Sequence, residues 1–383
     1  MKPVYEFLIG YLRSQFKGEK FEFDKTLIDG AFLSELSFAA KAHALIPAAY
    51  SALGILNVSG EILEKFKRSA ASAKYYQTVQ KYTYSQVSAL FDENGIDYIP
   101  LKGIILENLY PESLMRTKCD LDILIRPESL KTAANLLKEN GFKFKSSGSH
   151  EDVFISPENI TLELHFSLIE ENRIGKIEKP LTDIFENAVS DQNHRYLMKD
   201  EYFYYYHLAH MAKHITTGGC GIRPFADLYI LNKSVEFDAD KRSALLNSGG
   251  LDKFESGAKE LSLSWFDGAP YTDTALDLED FILNGSIYGS RENQALINQA
   301  LHGGKSGAVF SRIFVSSKLL ANSYPALKKH KWLLPYYEVK RWVKVLTDRR
   351  VGRYVKELKA NSAASEEKRQ NVTKLIKELG IDE

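Results

Sequence analysis

Cysteine is nearly absent from this sequence: Cys119 and Cys220 are the only two in 383 residues. Two thiols are too few for a disulfide framework or a cysteine-built zinc site, and both read as reduced, small apolar side chains. Also missing is any run of eighteen apolar residues, so no segment has the length and hydropathy to cross a membrane as a helix. The opening MKPVYEFLIGYLRSQF mixes charges and aromatics, without an apolar signal-peptide core or a cleavage site. A cytoplasmic location without membrane insertion is therefore expected. Charge of one sign is lacking too, because 50 basic residues face 50 acidic ones. No whole-protein field gathers long nucleic acid or an anionic membrane, which argues against a processive polymerase and leaves tRNA open as a partner.

What is present is apolar content, 44% of the chain with 12% aromatic, enough to bury one large core or two or three smaller ones. From Pro3 to about Asn94 the apolar residues recur at helical spacing, and Glu61 to Phe91 holds few breakers. From Ile96 the pattern changes to short β-type segments. These are YIPL ending at Leu101, DLDILI at Asp120 to Ile125, FKFK at Phe142 to Lys145, DVFIS after His150, and TLELHF at Thr161 to Phe166. Helical patterns intervene at Ile104 to Leu109 and at Pro127 to Asn140, the latter closed by Gly141. After about Lys199 the helical period returns and runs, with loops around Gly249, Gly268 and Gly303, to the EEKRQNVTKLIKEL segment. The spacing predicts an N-terminal helical region (1–95), an α/β core (96–195) and a C-terminal helical domain (196–383), without internal repeats.

Side chains alternate faces along a strand, so in CDLDILI the residues Leu121, Ile123 and Ile125 share one face while Asp120 and Asp122 share the other. Two bare carboxylates about 6.5 Å apart on a covered sheet repel each other, and a divalent cation removes the conflict. TLELHF repeats the logic, with Leu162, Leu164 and Phe166 toward the core and Thr161, Glu163 and His165 on the polar face. Glu163 is the natural third carboxylate. Oxygen donors of this kind suit Mg²⁺ or Mn²⁺ rather than zinc, and a pair of such ions suits phosphoryl transfer. An Asp-x-Asp on a strand is often only a solvated edge. Here the strand is apolar, a Lys-Gly turn precedes it and a second strand adds a carboxylate, which together favour a site.

Four stretches carry a resemblance to a known family: YIPLKGIILENLYP (Tyr98 to Pro111), RTKCDLDILI (Arg116 to Ile125), LELHFSL (Leu162 to Leu168), and HLAHMAKH followed by GIRPFADLY (His207 to Tyr229). In these the chain resembles the uncharacterised nucleotidyltransferases of the polymerase-beta-like superfold, and the likeness runs from about residue 30 to Trp342. The resemblance implies an α+β fold, a mixed sheet with helices flanked by N- and C-terminal helical regions. It also implies that Asp120 and Asp122 ligate the metals, and that Glu163 ligates the catalytic metal and assists deprotonation of the acceptor. One departure is Lys102-Gly103-Ile104, where the wider superfold has a Gly-Ser or Gly-Gly turn. Lys102 offers charge in place of the missing hydroxyl, and backbone N–H groups from Gly103 onward are placed to cradle phosphate oxygens. Arg116 is suited either to a phosphate or to bracing the loop.

His207, His210 and His214 fall at i, i+3 and i+7, one stripe of a helix that Gly218 and Gly219 end. The i, i+4 pair His210 and His214 has zinc-like spacing but no HExxH glutamate, since Met211 follows His210, so core packing and nucleotide contact compete with a metal role. Downstream, Asp227 lies one turn after Arg223, close enough to orient its guanidinium. A bare Arg/Asp pair is usually structural, but the resemblance, in which the helical domain closes the nucleotide cleft, favours Arg223 or His210 reaching the nucleotide. From Lys328 to Lys359, eleven Lys or Arg residues stand against Glu338, Asp348 and Glu357. That pattern fits solvated amphipathic helices or a meeting with an anionic partner such as tRNA or a phosphorylated glycan.

The expected activity is NTP-dependent and Mg²⁺-requiring transfer of a nucleoside monophosphate to a hydroxyl of a small molecule, glycan intermediate or protein, with pyrophosphate released. Two rivals stand beside it. One is a nucleotide-binding sensor of the same fold without turnover. The other is a metal phosphohydrolase built on the histidine stripe, weakened by the lack of an adjacent His-Asp pair.

Overall fold

The computed structural model describes residues 1–117, 120–168, 176–286, 289–313, 315, 320, 324, 326–347 and 365–382. Cys119 and the 348–359 part of the basic stretch lie outside them.

Four helices come first: α1 (Pro3–Lys17), α2 (Gly30–Ala42), α3 (Ile46–Ile55) and the long α4 (Glu61–Glu93). Their limits follow from local chemistry. Pro3 starts α1 in its first turn, where a missing N–H costs nothing, and Gly18 at φ 66° ends it. Asp29 caps α2 by accepting the Phe32 N–H at 2.7 Å. A mixed region follows with β1 (Tyr98–Pro100), the single turn α5 (Gly103–Leu106), β2 (Leu121–Ile125), α6 (Leu130–Glu139), β3 (Lys143–Ser147), β4 (Glu151–Ile155), β5 (Thr161–His165), β6 (Ala188–Gln192) and β7 (Arg195–Met198). Helices then return with α7 (Asp200–Thr216), α8 (Arg223–Ser234), α9 (Ala239–Gly249), α10 (Asp252–Phe266), α11 (Asp273–Leu283), α12 (Arg291–Leu301) and α13 (Lys305–Ile313). Further helical segments include Leu334–Thr347 and Glu366–Glu378.

The seven strands form one mixed sheet in the order β3-β4-β5-β2-β1-β7-β6. β2 lies in its middle, antiparallel to β1 and parallel to β5. The β6–β7 hairpin, an extension at the β1 edge, is absent from the sequence reading: β6 is AVSDQ, exposed and without apolar alternation.

The alternation expected of β2 separates two cores. Leu121, Ile123 and Ile125 pack with Leu162, Leu164 and Phe154 against α4 and α6, through residues such as Val87, Phe91, Ala133 and Leu137. Leu124 faces the other way, with Ile99 and Leu101, into a larger core that also holds residues of α1, α7, α8 and α10. N- and C-terminal helices meet in that core. Phe16 of α1 contacts the rings of Tyr110, Tyr229 and Phe266, and Arg13 donates to the carbonyls of Trp265 and Ser264. Both faces of the sheet are therefore covered, and a polar side chain on β2 is enclosed rather than solvated. No helix among the described residues is long and apolar enough to cross a membrane.

Candidate active site

In the parallel pairing of β2 with β5, Asp122 stands opposite Glu163 and Leu124 opposite His165. Partners in register share a face, so the apolar residues between them enter the α4/α6 core while Asp122, Glu163 and His165 emerge together on the other side. They open into a cavity of about 310 Å³ whose far wall is α7 and the start of α8. Asp120 sits in the bend just before β2 and lines the same cavity. So do Lys102, Gly103, Arg116, His207, His210, His214, Arg223 and Asp227, which brings the candidate metal- and nucleotide-contact residues to one cleft.

Asp122 is the hub, 8% exposed. Its Oδ1 accepts from Lys102 Nζ at 2.8 Å and lies 3.2 Å from His165 Nε2, which is 3.6 Å from Glu163 Oε2. Burial alone would raise the Asp122 carboxyl, but the Lys102 charge and the His165 hydrogen bond outweigh it and hold the group well below the usual carboxylate range. Lys102 shows the mirror effect, with the Asp122 charge overcoming burial to raise its ammonium. Asp120 has no such partner among the described residues. Burial, then the charges of Glu163 and Asp122, push its carboxyl up to about 6. Burial would lower His165, yet its hydrogen bond to Asp122 and the nearby Glu163 carboxylate leave it raised.

Lys102 reaches Asp122 from a backbone of φ 45° and ψ −110°, a region that costs a non-glycine residue on the order of 1–3 kcal/mol. Its carbonyl accepts the N–H groups of Ile105 and Leu106, at 3.2 and 3.0 Å, closing α5. Because α5 is a single turn, its dipole adds little for an anion, and the attraction falls mainly to the lysine.

The expected Arg223–Asp227 pairing is replaced by another. Asp227 takes both arms of Arg116, at 2.7 and 2.9 Å, and the Tyr110 hydroxyl at 2.7 Å. Residue 116 precedes β2 by a short loop, and its guanidinium braces that loop against α8. Arg223 instead donates from Nη1 to the Thr117 carbonyl at 2.6 Å, while its buried Nε has no hydrogen-bond partner. Spacing within one helix could not disclose a partner 111 residues away.

α7 ends where expected: the Gly219 N–H reaches back to the His214 carbonyl at 2.9 Å, and Gly218 and Gly219 have φ of 128° and 131°. His207 Nε2 lies 3.0 Å from the Pro224 carbonyl, tying α7 to α8. His210 and His214 approach Nε2 to Nε2 at 3.1 Å, so one ring donates and the other accepts. Burial, with the nearby Lys102 charge, holds His210 well below its ordinary range. Neither histidine belongs to a metal-capable cluster among the described residues. Residues that the sequence reading did not select also line the cavity, namely His150, Glu151, His165, Lys213, Cys220 and Pro224. Only His165 carried a usable signal, its place on the polar face of β5 beside Glu163. None of the described residues of the basic 328–359 stretch lines it.

A family model described as an uncharacterised nucleotidyltransferase matches residues 33–267, well over half of the chain. The chain belongs to that family. No curated protein and no solved structure matches it. The matched span of this nucleotidyltransferase contains the whole sheet and the α7 and α8 wall of the cleft.

Asp122 and Glu163 each offer a carboxylate oxygen, within 4.8 Å of each other and of a His165 ring nitrogen, and Asp120 adds a carboxylate that already feels both acidic neighbours. Hard oxygen donors crowded at one point, one of them raised by burial and then by like charge, fit a divalent cation such as Mg²⁺ or Mn²⁺.

Proposed function

We propose that the chain is a metal-dependent, cytoplasmic nucleotidyltransferase that moves a nucleoside monophosphate from an NTP to an acceptor hydroxyl. The observation that carries the reading is the register of Asp122 with Glu163 on adjacent parallel strands, opening into a cleft edged by Lys102, Lys213 and Arg223. Anions on one wall hold cations, and basic groups around them hold the triphosphate.

In the proposed reaction the acceptor oxygen bonds to the α-phosphorus as the bond from that phosphorus to the pyrophosphate oxygen breaks. The hydroxyl proton passes to Glu163, and pyrophosphate carries away the electron pair. Mg²⁺ or Mn²⁺ on Asp120, Asp122 and Glu163 would supply charge neutralisation for the triphosphate and polarise the reacting phosphoryl group. Lys102, which donates to Asp122, would be available to a phosphate if that carboxylate held a cation. His210, His214 and Arg223 on the far wall are placed for base, ribose or phosphate contact. In this class catalysis is mostly positioning and electrostatics, which a preformed enclosed cleft favours.

The test is pyrophosphate release from each of the four NTPs with Mg²⁺, across a panel of hydroxyl acceptors, with Glu163→Gln beside wild type. The expected result is acceptor-dependent release from wild type and its loss in the variant. Tight NTP binding without release across the panel would favour the sensor reading instead.

A further inference from the structure

His150, Glu151 and His165 form a second cluster beside the carboxylates. β4 and β5 pair antiparallel with Glu151 directly opposite His165, and His150 precedes β4. Glu151 Oε2 lies 3.5 Å from His150 Nε2 and 3.5 Å from His165 Nδ1, and all three ligand atoms fall within 4.8 Å of one another. These spacings are long for hydrogen bonds. They match a tetrahedral zinc site, where ligand atoms about 2.0–2.1 Å from the ion sit roughly 3.3–3.4 Å apart.

His165 supplies the deciding detail. It is 5% exposed, and its Nδ1 is buried without a hydrogen-bond partner. Its Nε2 is committed to Asp122, whose ionised carboxylate can only accept, so Nε2 carries the proton of that contact. An imidazole that gives one N–H to a carboxylate and presents its other nitrogen to an open point is the arrangement of a metal-ligating histidine with its supporting acid. The buried Nδ1 has no hydrogen-bond partner, with the Glu151 carboxylate 3.5 Å away, and a cation between the two removes the cost.

We propose that His150, Glu151 and His165 bind one divalent transition-metal ion, with Zn²⁺ the best fit, at a site separate from the Asp120–Asp122–Glu163 carboxylates. Two nitrogens and one carboxylate are zinc donors rather than magnesium donors. Three protein ligands leave a fourth position, and because all three residues line the cleft that position faces the cavity. The ion clamps β4 to β5 and fixes the His165 tautomer that holds Asp122.

The test is a titration of the metal-free, full-length chain with Zn²⁺ against a fluorescent zinc chelator, in excess Mg²⁺ and without nucleotide. One equivalent should bind. His150→Ala and Glu151→Gln should each weaken it by more than the roughly 10- to 100-fold that loss of a mere supporting partner costs. Circular dichroism establishes that both variants are folded, and Co²⁺ in place of Zn²⁺ should give the visible absorption of a low-coordinate, nitrogen-ligated ion. Absence of the equivalent in wild type overturns the site. So does binding that both variants leave unchanged, since that places the ion on the carboxylates. Neither outcome bears on nucleotidyl transfer, which the titration does not involve.

Discussion

At the residue scale, charge burial is settled differently at two of the buried histidines, His165 and His43. His165 shares its environment with Asp122 and Glu163 and is raised. His43, at the end of α2, is fully buried against the edge of Tyr5, and neither ring nitrogen has a partner. Burial lowers it to about 4 from an ordinary 6.5. The unfolded chain therefore binds a proton between pH 6.5 and 4 that the folded chain does not. Stability present above pH 6.5 is lost as the pH falls toward 4, by about 3 kcal/mol at the limit. Urea unfolding of wild type and His43→Phe across this range should show a difference that changes with pH, and a constant difference would contradict the assignment. The sequence held no sign of this, because a histidine after KA in a helical pattern reads the same whether buried or exposed. Asp122 and Glu163 were legible because strand alternation states which side chains share a face, and the hydrophobic residues between them fix that face.

At the element scale, α8 is held to the sheet by one buried constellation. Arg116 and Tyr110, both in the segment between β1 and β2, converge on Asp227 of α8, and Arg223 bonds back to Thr117. Burial would raise Asp227, but the Arg116 charge and hydrogen bonds more than offset this and hold it low. Asp227→Asn leaves the guanidinium buried without its counter-charge, and a loss of about 3–5 kcal/mol in unfolding free energy is expected. Arg116→Met with Asp227→Leu, which removes both charges, should recover much of it, whereas equal losses in the single and double variants would show that the pair matters only for packing. Single-element chemistry was readable: Pro at helix starts, glycine at ends, alternation in β1 to β5. Pairings between distant elements were not, since an Arg or an Asp advertises only that it needs a partner. β6 escaped notice because an exposed edge strand needs no apolar alternation.

At the scale of the whole molecule, helices from both ends of the chain share one core, and that core backs the α7–α8 wall facing the carboxylates. The cleft thus sits between two bodies of packed side chains, with charges of both signs concentrated in it while the chain as a whole carries no net formal charge. Such an arrangement suits a small anionic substrate held by local rather than global fields. The helical, α/β and helical succession was visible in the periodicity, but which helices would close over the sheet depended on distant contacts such as Arg116 with Asp227, 111 residues apart. The central claim is that Asp122 serves the chemistry and not nucleotide capture, and Asp122→Asn separates the two. With the fold verified by circular dichroism, equilibrium binding of an NTP without metal should be unchanged or tighter, because an anion is removed and Lys102 is released toward the triphosphate. Pyrophosphate release with Mg²⁺ and acceptor should fall about a thousandfold, roughly 4 kcal/mol of transition-state stabilisation. Turnover equal to wild type in the folded variant would contradict the account.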